Sequence, residues 1–555
     1  MKKLCNLLVV LFAPCHLVAQ PLIEVAKSHY THESWELAYT SYKNVLEINP
    51  YNDVYWYRYA NTAEKTNHLD EAIEAYRKTI ALNTAHGLAM YRLARCYAQK
   101  GNTKKVLTWL EKADHTGHYN IQSAIGDQKF KNLHSNDQFK TLTGQLFQPA
   151  TNKIQAWQRD LEYLVEQVEK EHKNFTHSIS LEEWQNAVQK VHNKIPQMTD
   201  LEIIGAFMEL LAKIGDGHTL LYPPFQGIYA FKALPLEFYY FEDELYVRAA
   251  EPEYQSLVGA KVERVGSMPI KDIIDACKEY LGYDNEMQLK WIIPVALGFS
   301  DIYELIGASK NRDSIELTSR SLDGQTLTVS IKSGPLTRDP MARFAPPHWI
   351  DLQNSKIPLW KRDPENQYWY EYLSDKKIVY FQFNQVRNKP DQSLADFVKE
   401  LFQFVHKNDV KALILDIRLN NGGNSFLNRA LVHEIIRSDK INTHGKLFTI
   451  IGRRTFSAAM NLTSDLEKNT ATLFVGEPTG SRPNFYGEDN EFILPNSGLT
   501  GSISSRYWQG GQTSDDTRTW IAPHLAADLS LENYQKDEDP ALEAIFAYLE
   551  ALKTE

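Results

Sequence analysis

Ser457 is the residue in this chain whose type and setting most invite covalent chemistry. It lies in Ile451-Gly-Arg-Arg-Thr-Phe-Ser-Ala-Ala-Met460, where an apolar strand should hand over to a helix. At a helix N-terminus, unpaired amides and the positive end of the dipole favour a developing oxyanion. A serine in that position can also simply cap the helix, a common use of the residue. As a nucleophile it needs a base before it can attack a carbonyl at neutral pH. A second segment, Ala412-Leu-Ile-Leu-Asp-Ile-Arg-Leu-Asn-Asn-Gly-Gly-Asn424, reads as a buried strand ending in a Gly-Gly turn. Two glycines at a strand's end let backbone amides face a ligand with no Cβ in the way.

The elements that must position these groups alternate in type. A strand is expected at 378–383, and Phe397, Leu401, Phe404 and Val405 mark one face of a helix. Residues 412–417 form a near-continuous apolar run, as a strand covered on both faces should. A helix from about Phe426, a strand at 447–451, a helix after Ser457 and a strand at 472–475 follow. This alternation predicts an α/β domain with a largely parallel sheet. Upstream, residues 157–211 keep helical spacing, with one stripe at Leu161, Leu164, Val165 and Val168 and another at Ile203, Phe207, Leu210 and Leu211. Ser180-Leu-Glu-Glu offers a capping box for the helix holding Trp184. This helical lead-in delivers Gly215-Asp216-Gly217-His218-Thr219.

The Asp416-Ile-Arg-Leu-Asn-Asn-Gly-Gly423 turn, the serine after it and Gly476-Glu-Pro-Thr-Gly-Ser481 together resemble the carboxy-terminal processing (tail-specific) serine peptidases, including their tricorn-core relatives. The likeness runs from about Trp157 to Tyr548. It implies a C-terminal α/β peptidase core of ClpP/crotonase-like fold, with Ser457 as nucleophile and an oxyanion hole made by the amide of Ala458 and one from Gly422 or Gly423. The lysine branch of that family keeps its base in a Gly-Lys-Gly segment about 25 residues after the serine. Here that position falls near Arg482, and a guanidinium does not deprotonate usefully in a protein. The tricorn-like branch instead takes a histidine from the lead-in, and Asp216-Gly-His-Thr219 matches that segment. The resemblance therefore implies His218 as general base, a role that suits imidazole. The alternative is a turn histidine with a satisfied hydrogen bond. A third group should orient the ring, with Glu488 preferred and Asp516, beside Asp515, next. The other histidines, such as His172 and His524, have no supporting constellation and are expected in structural or surface roles.

The N-terminal part carries a repeat of 34 residues: Ala38, Ala72 and Val106 are so spaced, as are Tyr42, Tyr76 and Leu110. Ala60 pairs with Ala94, Tyr57 with Tyr91 and Asn49 with Asn83. Small residues at fixed positions let paired helices approach closely, and the pattern resembles tetratricopeptide repeats. Residues 230–335 turn to strand character and loosely resemble a bacterial PDZ domain, a class that accepts a peptide as an added strand. A helical stretch at about 285–306 interrupts that likeness, and a structural β-subdomain is the alternative. The expected organisation is a signal peptide at 1–19, repeat hairpins at 22–115, a helical lead-in at 150–225, a PDZ-like β-subdomain at 230–335 and the α/β core at 365–555.

Composition narrows the partners. Hydrophobic residues make up 43% of the 555 and aromatics 12%, enough for several ordinary cores. The formal charge of −10 has no basic block behind it, which argues against nucleic acid. Lys2 and Lys3, the apolar stretch after them and Ala19 before Gln20 read as an export signal, placing the chain in a periplasm or outside the cell. A lipoprotein reading at Cys15 suffers from Pro14 beside it. No later run is apolar enough to span a membrane. Cys5 and Cys15 leave with the signal, while Cys96 and Cys277 stand in different predicted domains with no metal-binding or CxxC spacing. The expectation is a serine endopeptidase acting on peptides or unfolded segments, without metal or organic cofactor, and with room for a protein partner on the repeats. Its rivals are a binding protein on the same fold that no longer cleaves, and a hydrolase of a small ester or amide.

Overall fold

The computed structural model describes residues 22–114, 116, 121–143, 150, 152–353 and 357–553. The expected signal segment at 1–19, with Cys5 and Cys15, lies outside the described residues. The chain divides into two compact units, Met1–Pro149 and Ala150–Glu555.

In the first unit six helices follow one another: Leu22–Thr31, Trp35–Ile48, Asp53–Lys65, Leu69–Leu82, Gly87–Gln99 and Thr103–Asp114. Most of the residues spaced by 34 are inside, although Asn49 is exposed and Tyr57 and Asn83 are half-buried. Ala38, Ala72 and Val106, then Tyr42, Tyr76 and Leu110, and also Ala60 and Ala94, are all fully buried, and all of them except Ala38 belong to one core. Alanine at the crossing lets two backbones approach, and the tyrosine beside it fills the space between hairpins. Within that core Glu64 accepts from Tyr76 at 2.8 Å and pairs with Arg92 at 3.4 Å and Arg95 at 3.3 Å, so its charge is not buried alone. Cys96 and Cys277 are buried free thiols, one in each unit.

The second unit opens with helices Lys153–Glu171, Leu181–Lys194 and Asp200–Ala212. Ser180 and Glu183 close the expected capping box, and Thr199 with Glu202 closes another. The segment with strand character is a seven-stranded antiparallel sheet, running along its path Leu236–Phe241, Glu244–Ala250, Lys261–Val265, Ser314–Arg320 and Thr326–Lys332. Helices Glu286–Ala296 and Ser300–Leu305 interrupt it, where the helical stretch was expected.

The C-terminal α/β region is built on a six-stranded sheet in the order Leu525–Ala526, Leu473–Gly476, Leu447–Ile451, Ala412–Asp416, Ile378–Phe383 and Tyr368–Leu373. All pairs are parallel except the last. Both faces are covered, which is why Ala412–Asp416 is apolar without alternation. Leu413 and Leu415 pack with helices Leu394–Lys407, Asn428–Arg437 and Ala458–Asn469, whereas Ala412 and Ile414 pack with Pro540–Ala551 on the other side. The turns holding the Gly-Gly pair and Ser457 follow the carboxyl ends of neighbouring parallel strands, where open α/β sheets characteristically bind ligands.

A third sheet brings the lead-in to this edge. Strand Leu220–Leu221 pairs antiparallel with Thr500–Gln509, which in turn pairs with Asn484–Ile493. Leu220 lies opposite Ser502 and Leu221 opposite Gly501, so His218 is carried to the core although more than 200 residues separate it from Ser457. Glycine is required at 501, because a Cβ there would lie 2.4 Å from the Leu220 carbonyl oxygen and 2.5 Å from the Phe492 ring. Gly501→Ala should cost about 1–3 kcal/mol through this overlap. Denaturant unfolding of the full chain checks this, the expected result being a lower midpoint for the unit that holds both strands.

Candidate functional site

Ser457 leaves the strand Leu447–Ile451 through a tight turn. Thr455 Oγ1 accepts from the Gly452 amide at 3.0 Å and donates to the Ile417 carbonyl at 3.1 Å. The Phe456 amide donates to the Asn420 carbonyl at 3.2 Å. This scaffold holds Ser457 at φ 55° and ψ −121°, a conformation a residue with a Cβ rarely adopts and one worth about 1–3 kcal/mol of strain. The turn lifts the side chain clear of the helix it precedes: Ser457 makes no capping hydrogen bond to Ala458–Asn469, so the bland reading as a helix cap is not what the fold uses it for.

The Gly-Gly turn lies against it. A Cβ on Gly422 would stand 2.7 Å from Ser457 Cβ and 3.0 Å from the Ala458 nitrogen, and one on Gly423 would stand 2.3 Å from the Val386 carbonyl oxygen. Both glycines also have positive φ, 111° and 132°. The two amides differ. That of Gly422 donates to Asn420 Oδ1 at 3.0 Å, so it is engaged within its own turn. Gly423, whose amide carries no such bond, lines the same cleft as Ser457.

His218 faces this cleft from the other side. Its ring is stacked between Phe456, at 4.4 Å between centroids, and Phe485, at 5.6 Å. Only 5% of the residue is exposed, yet both ring nitrogens are buried without a hydrogen-bond partner. An imidazole held by its faces, with both nitrogens unengaged, is unusual in a protein interior. The cleft of about 350 Å³ is lined by His218, Gly423, Ser457, Glu488, Asp489 and Trp508, with residues 424–426 at its rim.

The backbone around His218 is set by two buried carboxylates. Asp216 Oδ1 accepts from the amides of His218 at 2.9 Å and Thr219 at 2.8 Å, and from Ser504 Oγ at 2.7 Å. Its other oxygen takes His172 Nε2 at 2.8 Å. Burial alone would raise this carboxyl, but the hydrogen bonds from His172 and Ser504, with His177 3.9 Å away, outweigh it and hold the group far below the usual carboxylate range. Asp284 accepts from the Gly217 amide at 2.9 Å and from Ser481, and burial pushes its carboxyl up against the attraction of His218.

His172, His177 and Asp216 place three possible ligand atoms within 4.8 Å of one another. The Asn174 amide donates to His172 Nδ1 at 2.9 Å, which leaves the ring proton on Nε2 and directs it at Asp216. In that pair the His172 proton, not a lone pair, faces Asp216, and His177 Nε2 stands 3.9 Å from the same oxygen. His172, expected in a structural or surface role, supports the His218 loop, and His524 accepts from the Phe474 amide at 2.9 Å.

The acids expected to orient His218 are separated by the fold. Glu488 borders the cleft, but its side chain is half exposed and lies 3.9 Å from Arg506. Asp516 is bound by Arg518 at 2.8 Å and does not line the cleft. Arg482 donates to the Asp284 carbonyl at 2.6 Å and takes no part in it either. Asp489, one residue beyond Glu488, does line it. Asp489 is itself exposed, yet desolvation raises its carboxyl, with His218 pulling the other way. Asp284 and Asp489 were missed in the sequence, where neither sits in a motif.

The fold of the second unit has known counterparts. The structural neighbours of this chain are CPAF and the photosystem II D1 C-terminal processing protease. The structure of mature CPAF complexed with lactacystin superposes with a TM-score of 0.51 at 13% identity, covering 72% of this chain and 98% of that one. Mature CPAF alone matches with a TM-score of 0.50 at 13% identity, over 72% of this chain and 96% of that one. The D1 C-terminal processing protease has 14% identity and a TM-score of 0.36, over 70% of this chain and 96% of that one. No protein-family model matches the sequence, and no curated protein matches it. The likeness to mature CPAF is one of fold.

Asp216→Asn tests the support of the His218 loop. Losing a buried carboxylate that accepts four hydrogen bonds should cost about 2–4 kcal/mol. A carboxyl depressed on folding stabilises above its unfolded pKa, about 3.9, and that stability is lost as pH falls further. Urea midpoints of the two proteins should thus differ at pH 7 and converge as the pH falls below about 4.

Proposed function

We propose that this chain is a serine peptidase that cleaves peptides or unfolded protein segments through an acyl-enzyme on Ser457. One observation carries the reading: a strained serine free of its helix shares a cleft with a buried histidine whose ring nitrogens have no other partner. In this mechanism Ser457 Oγ attacks the scissile carbonyl carbon while His218 takes its proton. The amides of Gly423 and Ala458 donate to the oxyanion. His218 then passes the proton to the leaving amine, and water, deprotonated by the same ring, hydrolyses the ester. Asp489 is the acid best suited to steady the imidazolium, because it lines the cleft and is drawn to the charge of His218, whereas Glu488 has Arg506 beside it.

The reading extends to the rest of the chain. The helical hairpins of the first unit are taken as tetratricopeptide-like, on the burial of Ala38, Ala72 and Val106 and of Tyr42, Tyr76 and Leu110, and as a seat for a protein partner. The antiparallel sheet at 236–332 is taken as PDZ-like. The basic and apolar start supports export, and among the described residues no helix is long and apolar enough to cross a membrane.

A fluorophosphonate probe tests the proposal. Ser457 should be labelled, Ser457→Ala should take up nothing at that site, and His218→Ala should slow labelling by about 10²- to 10⁴-fold. Labelling that is unaffected by Ser457→Ala would refute the nucleophile.

A further inference from the structure

A second cavity opens on the other side of the nucleophile turn. It holds about 110 Å³ of free space between strand Leu236–Phe241, helix Glu286–Ala296, residues 336–344 and the loop Gly452–Arg454, and shares no lining residue with the Ser457 cleft. A water needs about 10–15 Å³ of such space, so there is room for a polyatomic ion.

Its charges do not balance. Six guanidinium groups border it, and four of them, Arg248, Arg338, Arg343 and Arg454, have too few carboxylates. Arg248 and Arg338, the latter at 3.2 Å, share the single carboxylate Glu237. Arg343 meets only carbonyl oxygens, those of Asn384 at 2.7 Å and Leu419 at 3.3 Å. Arg454 likewise meets Met341 O at 2.9 Å and Ala342 O at 3.5 Å. The Nε atoms of Arg248 and Arg454 are buried with no partner at all. The other acid at the wall, Glu477, is taken by Arg453 at 2.8 Å, Arg418 has Asp416 and Asp539, and Lys290 has Asp243. Asp339 and Glu365 attract the cluster only from outside the cavity. Burial, then the charges of Arg343 and Arg248, push Arg454 down to about 9, a measure of how poorly the cation is compensated. Arginine answers such a deficit by taking a counter-ion, since its charge is almost never given up.

Arg454 also reaches the catalytic groups through rings. It stands three residues before Ser457, its guanidinium lies 5.0 Å from the Trp291 ring, Trp291 meets Phe456 edge-on at 6.0 Å, and Phe456 is stacked on His218.

We propose that this cavity binds a small multivalent oxyanion of phosphate size, forked between Arg343 and Arg454 with Arg248 and Arg338 behind them. The bound anion sets the position of Arg454, and with it the Phe456–Ser457 turn, so that the site acts as an effector site. This second role rests on the peptidase reading; the binding itself does not.

Calorimetry of the full-length Ser457→Ala protein with inorganic phosphate, against chloride at matched ionic strength, tests the binding. Phosphate should bind with 1:1 stoichiometry. Arg343→Gln should weaken it at least tenfold, and Arg338→Gln, a second variant in case the first does not fold, should weaken it too; thermal melts identify the folded proteins. In wild type, phosphate should change the rate of fluorophosphonate labelling at least threefold, and in Arg343→Gln it should not. Equal heats in phosphate and chloride, or affinity unchanged in both folded variants, would overturn the site. A labelling rate the same in phosphate and chloride would overturn the effector role. If Ser457 is not labelled under any condition while phosphate still binds, the failure is that of the peptidase reading and the anion site stands.

Discussion

Asp216 is the group on which the placement of His218 depends. A carboxylate only 2% exposed is tolerable in a protein interior when every lone pair has a donor, and here the donors come from three parts of the chain. His172 arrives from the end of the first lead-in helix, the amides of His218 and Thr219 from the loop itself, and Ser504 from the long hairpin that borders the core. Remove the carboxylate and the lead-in loses its shared anchor with the hairpin. The pairing of Leu220 with Ser502, and the Ser502 hydroxyl on the His218 carbonyl at 2.6 Å, continue the same join.

Opposite that anchor, the sheet supplies the strain. Parallel strands buried on both faces cannot yield, so the turns at their carboxyl ends absorb whatever backbone geometry the site demands. Ser457 takes a positive φ there, and Gly422 and Gly423 let two turns approach more closely than any Cβ would allow. The result is a free amide and a free hydroxyl at the rim of one cleft. Stacking does for His218 what hydrogen bonds usually do for a histidine. Phe456 and Phe485 hold the plane of the ring, and both of its nitrogens, though buried, are left without a hydrogen-bond partner.

Much of this was legible in the residues. The 34-residue register, the strand–helix alternation and the two turns could be read because each is a local pattern whose period or composition reports burial directly. What could not be read is assembled from distant residues. Asp284 meets Gly217 across 67 positions, and Arg248, Arg338, Arg343 and Arg454 come from separate elements, so no spacing announces them. Glu488 was preferred, with Asp516 next, and the neighbouring Asp489 went unread, because the alternation of a strand cannot be phased from one acidic pair. The amide of Gly422 was expected to be as available as that of Gly423. Asn420, two residues earlier, folds back to engage it. The helix expected from Phe426 begins at Asn428, because Asn424 caps a short 3-10 turn over Ser425–Leu427 first.

The central claim is that His218 and Ser457 work as one catalytic unit, although they belong to elements far apart in the chain. A double-mutant cycle on the hydrolysis of an unstructured peptide tests it most directly. Groups that act together are strongly non-additive, so His218→Ala and Ser457→Ala should each lower kcat/KM by about 10³-fold or more, and the double variant should be no slower than the slower single one. Losses that multiply in the double variant would mean that the two residues act independently, and would contradict the account.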